Sequence, residues 1–233
     1  MKTDKEKTSS PFKPMGSNTS LHILVYRQLK ELIISGELKP GDRLLEYEIA
    51  SQLNTSKTPI REAIRELASE GLVVHEKRKR ITVVDFTEQD VREILTLRAE
   101  LEVIALGLAT QYLDESDYKK LSLLIDELKE AEAENDFKKV RSIDIEGIHA
   151  FIVNKSGNSR LEQMWKMLAS QMMVLFQAVD FNTKRSGFAS DRHSELLNLM
   201  QKGETEKAAD FIRNHVLRNL ESIVEEYASH KRG

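Results

Sequence analysis

Residues 38–72 constrain the fold of this chain more than any other stretch. Leu38-Lys39-Pro40-Gly41-Asp42-Arg43-Leu44 carries a Pro-Gly pair, which makes a turn. A short helix is predicted at about Glu46–Leu53, and Asn54-Thr55-Ser56 forms the next turn, with Ser56 a favourable N-cap. The following helix, about Lys57–Ser69, buries Ile60, Ala63, Ile64 and Leu67 on one side. Pro59 is tolerated because it falls in the first turn. Gly71, within Glu70-Gly71-Leu72, suits the residue that ends a helix. Upstream, Leu21, Leu24, Val25, Leu29, Leu32 and Ile33 recur at helical spacing until Gly36 stops them. Downstream, Leu72-Val73-Val74 and Ile81-Thr82-Val83-Val84 read as two strands around a charged tip, Lys77-Arg78-Lys79-Arg80. Three helices followed by a β-hairpin make a winged helix-turn-helix, an arrangement that presents its third helix to a DNA major groove.

The outward face of that third helix fits the same use. Thr58, Arg61, Glu62 and Arg65 lie at i, i+3, i+4 and i+7, opposite the apolar stripe. Lys57 and Thr58 sit at the N-terminus, where a recognition helix meets base edges and phosphates. Arg61 can donate a bidentate pair to guanine O6 and N7. Lys57 and the wing residues Lys77, Arg78, Lys79 and Arg80 suit phosphates, where charge matters more than base-reading geometry. Charge is divided in the same sense. Residues 1–84 hold 15 Lys+Arg against 11 Asp+Glu, a balance of +4, whereas residues 85–233 hold 20 against 27, a balance of −7. A basic front on an acidic back is what a nucleic-acid module joined to a different kind of domain would show.

Everything after Phe86 reads as helix. Segments are predicted at about Glu88–Tyr112 (capped by Thr87), Asp117–Glu132 (capped by Ser116), Phe137–Asn154, Arg160–Val179, Phe188–Lys202 and Thr205–Ser229. Gly157-Asn158, Gly187 and Gly203 punctuate them. The expected organisation is a mobile tail at 1–18, a winged helix-turn-helix at 19–86 and an all-α helical bundle at 87–230, mainly α overall. With no cysteine in the chain, disulfides and thiolate metal sites are excluded, as a reducing cytosol would favour. The longest apolar stretch, Met164–Val179, is broken by Lys166, Gln171 and Gln177 and is too short and polar for a membrane span. Residues 1–18 lack an apolar run, so no signal peptide is expected and a cytoplasmic location is.

Residues 20–84 resemble the GntR family of bacterial transcription regulators. The resemblance rests on L-x-P-G-x-x-L (Leu38–Leu44), S-[KR]-T-P-[IV]-R-E-A (Ser56–Ala63) and E-G-L (Glu70–Leu72), in order and at the right spacing. It implies that Lys57 and Arg61 contact operator bases and phosphates, with Thr58 in support. Many relatives carry a glycine at the wing tip, and Arg80 stands there in this chain.

Three histidines lie within apolar stripes of separate helices: His149, His193 and His215. A histidine on an apolar face is most often a hydrogen-bonded core residue, yet three of them also suit a metal, for which neutral imidazole is the commonest ligand. Residues 88–228 resemble the all-helical FCD effector domain of the FadR subfamily. The marks are Leu97-Arg98-Ala99-Glu100-Leu101-Glu102, His149 followed by Ser156-Gly157-Asn158, Arg192-His193, and Gly203 leading to His215. In many such domains an aspartate four residues before the first histidine joins three histidines to bind zinc, nickel or manganese, which helps hold a small carboxylate effector. His149, His193 and His215 match the histidine positions.

The aspartate position does not match, because residue 145 is isoleucine. On an ideal helix Asp144, five before His149, points roughly 140° away, whereas Glu146, three before, is roughly 60° away. Three arrangements stay open: Glu146 replaces the aspartate; water or effector oxygens complete a three-histidine site; or no metal binds, and the histidines hydrogen-bond an effector or one another. Arg98 either clamps an effector carboxylate or pairs with Glu102 at i+4, and Asn219, on the face of His215, is a further effector-binding candidate. The methionines at 164, 167, 172 and 173 read as core or pocket lining. The expected function is a DNA-binding transcriptional regulator, a repressor working as a homodimer on palindromic double-stranded operator DNA and answering to a small organic acid. A constitutive regulator without metal or effector is the alternative. A three-histidine metal-dependent enzyme is weaker, since only Glu146 offers itself as a base.

Overall fold

The computed structural model describes residues 21–76, 80–178 and 189–230. The tail at 1–18, the wing-tip residues Lys77, Arg78 and Lys79, and Gly187 lie outside them. The DNA-binding unit contains α1 (Leu21–Ile34), α2 (Glu46–Gln52) and α3 (Lys57–Ser69), then β1 (Val73–Glu76) and β2 (Arg80–Val83). The strands pair antiparallel, with Val73 opposite Val83 and Glu76 opposite Arg80. Residues 42–44 lie along β2, with the Val83 N–H on the Asp42 carbonyl and the Leu44 N–H on the Ile81 carbonyl. That edge was not legible in the sequence. The four stripe residues of α3 are at most 1% exposed, so the helix is fixed by its apolar face.

The rest is helical: α4 (Glu88–Ala109), α5 (Glu115–Ala133), α6 (Phe137–Arg141), a π-helical segment (Ser142–His149), α7 (Ala150–Lys155), α8 (Ser159–Ala178), α9 (Ala189–Gln201), α10 (Thr205–Leu217) and α11 (Leu220–His230). Thr87 caps α4 as expected, in a reciprocal box with Asp90. Two other caps differ. Ser56 has the extended backbone of a cap but makes no capping side-chain bond. α5 is capped by Asp114, to which Ser116 donates at 2.7 Å; a carboxylate two residues earlier offers the helix N-terminus negative charge as well as an acceptor. The single helices expected over 137–154 and 205–229 are each interrupted, the first by the π segment and the second at Arg218-Asn219.

One apolar cluster runs through both units. It joins Val25, Leu29 and Ile33 of α1 and the α3 stripe to Trp165, Met172 and Leu175 of α8 and Tyr227 of α11. At the junction, the Phe86 N–H donates to the Tyr227 hydroxyl at 3.0 Å. The end of the third helix is held from two sides. Lys30 of α1 reaches the Glu70 carboxylate at 2.7 Å, and Gln171 of α8 donates to the Glu70 carbonyl at 3.0 Å. Gly71 follows with φ +72°, and a Cβ there would lie 2.2 Å from Gln171 Nε2. Glycine is thus required by the backbone, and a Cβ would also displace the end of the Gln171 side chain.

Candidate DNA-binding face and histidine cluster

α3 keeps Lys57, Thr58, Arg61 and Arg65 exposed while its other side is buried. Arg61 Nε donates to Glu46 of α2 at 2.8 Å, which aims its guanidinium along the gap between the two helices. A groove of about 620 Å³ runs there, with Arg43, Glu46, Tyr47, Lys57, Arg61 and His75 among its lining residues. Arg43 and Tyr47 were missed in the sequence. Arg43 is brought to the groove by its bridge to Thr82, a long-range pairing that no local periodicity signals. Arg80 is exposed at the start of β2.

The second site is built from two helices, α9 and α10, and the π segment. Asp144, His149, His193 and His215 each place a ligand-type atom within 4.8 Å of the others. His193 Nε2 is 3.2 Å from His149 Nε2 and 3.3 Å from Asp144 Oδ1, and His149 Nε2 is 3.7 Å from the same oxygen. The two rings are at most 1% exposed. Asp144 Oδ1 is buried and has no hydrogen-bond partner among the described residues.

Asp144 takes the place that the sequence reading gave to Glu146. The π segment is the reason. Its hydrogen bonds run i→i−5, as from the Ala150 N–H to the Ile145 carbonyl, so residues five apart come to lie nearly one above the other. The roughly 140° offset of an ideal α-helix therefore does not apply. Glu146 is instead exposed and accepts from the Ser142 hydroxyl at 3.0 Å. Ile145 points into the core, fully buried.

Each histidine has its own support. His193 Nδ1 lies 2.8 Å from the Ala189 carbonyl. Ala189 is itself held by buried Glu132 of α5, which accepts its N–H at 2.6 Å and the Ser190 hydroxyl at 2.5 Å. His149 Nδ1 lies 2.7 Å from Glu102 Oε2. Arg192 Nε donates to His215 Nδ1 at 3.2 Å. Burial presses the His193 imidazole down to about 4 against the opposing pull of Asp144. Burial, with the neighbouring histidines, sets His215 well below its usual value. Both rings are thus neutral near pH 7, the state in which imidazole binds a metal. Glu132 and Glu102 are supports that the sequence did not disclose, since their partners are 57 and 47 residues away.

Arg98 pairs with Glu102, Nε to Oε1 at 2.6 Å. Its Nη2 is buried, has no hydrogen-bond partner among the described residues, and lies 4.0 Å from Asp144 Oδ2. Asn219 is half-buried at the break between α10 and α11, four residues after His215.

Both halves of the chain match known families. Residues 24–83 match the bacterial regulatory proteins of the gntR family, and residues 93–218 match the FCD domain. The chain is 27% identical to the uncharacterized HTH-type transcriptional regulator YdhC of Bacillus subtilis over 215 residues, covering 89% of this chain and 94% of that one. It is 29% identical to a probable D-xylose utilization operon transcriptional repressor of Paenarthrobacter nicotinovorans, covering 82% and 85%. Among solved structures, Escherichia coli McbR/YncC superposes with a TM-score of 0.77 at 25% identity, covering 90% of this chain and all of that one. These relatives are transcription regulators rather than enzymes. The chain belongs to the GntR family of bacterial regulatory proteins, in the group that joins a winged helix-turn-helix to an FCD domain, and it is a DNA-binding transcriptional regulator.

Proposed function

We propose that this regulator is a cytoplasmic repressor that binds a palindromic operator as a homodimer and is released by a small organic acid held beside a divalent metal. The observation that carries the sensor half is the crowding of acceptor atoms in the histidine cluster. With Nδ1 of His193 facing a carbonyl and Nδ1 of His149 facing a carboxylate, the two Nε2 lone pairs point at each other and at Asp144 Oδ1. Buried lone pairs turned on one another and on a carboxylate oxygen favour a cation among them. Asp144, His149, His193 and His215 would hold a metal, and this mixed nitrogen and oxygen set does not choose sharply among zinc, nickel and manganese. When bound, the ion supplies positive charge and open coordination positions to a carboxylate. Arg98 Nη2 offers that carboxylate a buried donor. Asn219 stands at the adjoining helix break.

On the DNA half, Arg61 and Arg65 read base edges, Lys57 and Thr58 anchor the N-terminus of α3, and Lys77, Arg78, Lys79 and Arg80 take phosphates. Leu97 and Ile104 on α4 and Met164 and Met167 on α8 are exposed apolar side chains on two helices that pack together. They supply a face for a second copy. The repressor named among the relatives favours repression over activation.

The test has two arms. In a mobility-shift assay on DNA from the gene's own promoter region, wild type binds selectively and Arg61→Ala loses roughly tenfold or more, the value of one bidentate base contact. Binding no better than to random DNA at every salt concentration sinks the reading. Metal analysis of freshly purified protein gives about one ion per chain in wild type and a marked loss in His193→Ala. Equal content in the two, or no metal in either, favours a constitutive regulator without a metal-assisted sensor.

A further inference from the structure

Glu102 of α4 is the most enclosed charged side chain beside the histidine cluster, 1% exposed. Its Oε1 accepts from Arg98 Nε at 2.6 Å and from Trp165 Nε1 at 3.0 Å. Its Oε2 stands 2.7 Å from His149 Nδ1, an ion-pair contact whose angle as placed falls short of a hydrogen bond, so that a small turn of the ring brings Nδ1–H onto it. Three side chains from three helical segments are gathered on it.

A neutral imidazole carries one proton, and the acceptor it meets decides which nitrogen holds it. For His149 that acceptor is Glu102, on the side away from the cluster. Resting on the metal reading above, we propose that Glu102 is the positioning residue of this site. It holds the His149 proton on Nδ1, so that the Nε2 lone pair faces His193 and Asp144. Arg98 and Trp165 fix Glu102 in turn. A carboxylate behind a metal-binding histidine also makes the ring a better donor, and loss of such a partner costs 10–100-fold in metal affinity. His193 has only the weaker carbonyl of Ala189 behind it, so His149 becomes the strongest nitrogen donor of the set. Because Trp165 is the single tryptophan of the chain, the same carboxylate ties the site to an optical reporter.

The experiment uses full-length protein and zinc alone. Zinc affinity is measured by chelator competition for wild type, Glu102→Gln and His193→Ala, with tryptophan emission followed in the same titrations. Long-range proton–nitrogen NMR spectra of labelled metal-free protein read which nitrogen of His149 is protonated. The amide of glutamine keeps the size of the side chain and still accepts from Trp165, but it no longer offers His149 a charged acceptor. The expected results are an Nδ1–H tautomer in wild type, its loss in Glu102→Gln, and zinc binding 10–100-fold weaker in that variant. The emission change of wild type should move to correspondingly higher zinc.

Zinc affinity equal to wild type in folded Glu102→Gln overturns the proposal, as does an Nε2–H tautomer in wild type. The second reading also decides the matter if Glu102→Gln does not fold. If wild type binds zinc no better than His193→Ala, the metal reading fails. The tautomer then decides Glu102 alone, and retention of Nδ1–H in Glu102→Gln overturns its positioning role.

Discussion

At the scale of single residues, burial of imidazole has a consequence for pH. His193, pressed by burial down to about 4, stays neutral in the folded chain while an unfolded histidine takes a proton near 6.5. The unfolded state therefore binds more protons in that interval, and stability falls as pH falls. Metal-stripped protein should lose thermal stability progressively from about pH 6.5 towards 4, and His193→Leu should flatten that slope. A melting temperature that is level across the interval counts against a buried neutral His193. Zinc should widen the gap between loaded and stripped protein at pH 7 and lose its effect in acid, because protons compete for the same lone pairs. The histidines themselves were legible in the sequence because each sits in an apolar helical stripe. Their supports were not, because a lone glutamate at 102 or 132 carries no mark of the partner that folding brings to it.

At the scale of elements, the π segment is where sequence reading and structure part. Ideal helical geometry made Asp144 a poor partner for His149 and favoured Glu146, yet the i→i+5 turn reverses that order. Measured against the family spacing of four, the chain carries one additional residue between aspartate and histidine, and the π turn absorbs it without rotating the flanking helices out of the core. Deletion of exposed Glu146 should therefore restore an ordinary α-helix with aspartate four before histidine. Zinc affinity in the shortened chain should stay within about tenfold of wild type, one decade being about 1.4 kcal/mol. Loss of zinc binding with the fold intact would show that the π turn is needed in its own right. By contrast the winged unit was legible almost throughout, because its turns are set by local chemistry: Pro40-Gly41, Ser56-Lys57-Thr58-Pro59 and Gly71. The edge at residues 42–44 escaped, as it depends on β2 being present to receive it, and Ser56 makes no capping bond.

For the whole molecule, the contact between α8 and the end of α3 can be measured. Gly71→Ala places a Cβ against Gln171 Nε2 and forces a positive φ on alanine. It should cost about 1 kcal/mol from the backbone, and about another 1 kcal/mol from the displaced Gln171–Glu70 hydrogen bond. In a Gln171→Ala background the second part is already lost, so the two substitutions should couple by about 0.5–1.5 kcal/mol in a double-mutant cycle read by thermal or urea unfolding. Strict additivity would mean that α8 and the recognition helix do not sense each other through this bond. The continuity of the apolar cluster from α1 through α8 to Tyr227 reaches further than stability. A chimaera that cuts at residue 86 and joins the DNA-binding unit to another FCD domain would leave half of a shared interior exposed. Exchange of operator specificity in this chain therefore has to carry the α8 and α11 side chains along with the head, because the two halves share one interior rather than meeting as separable parts.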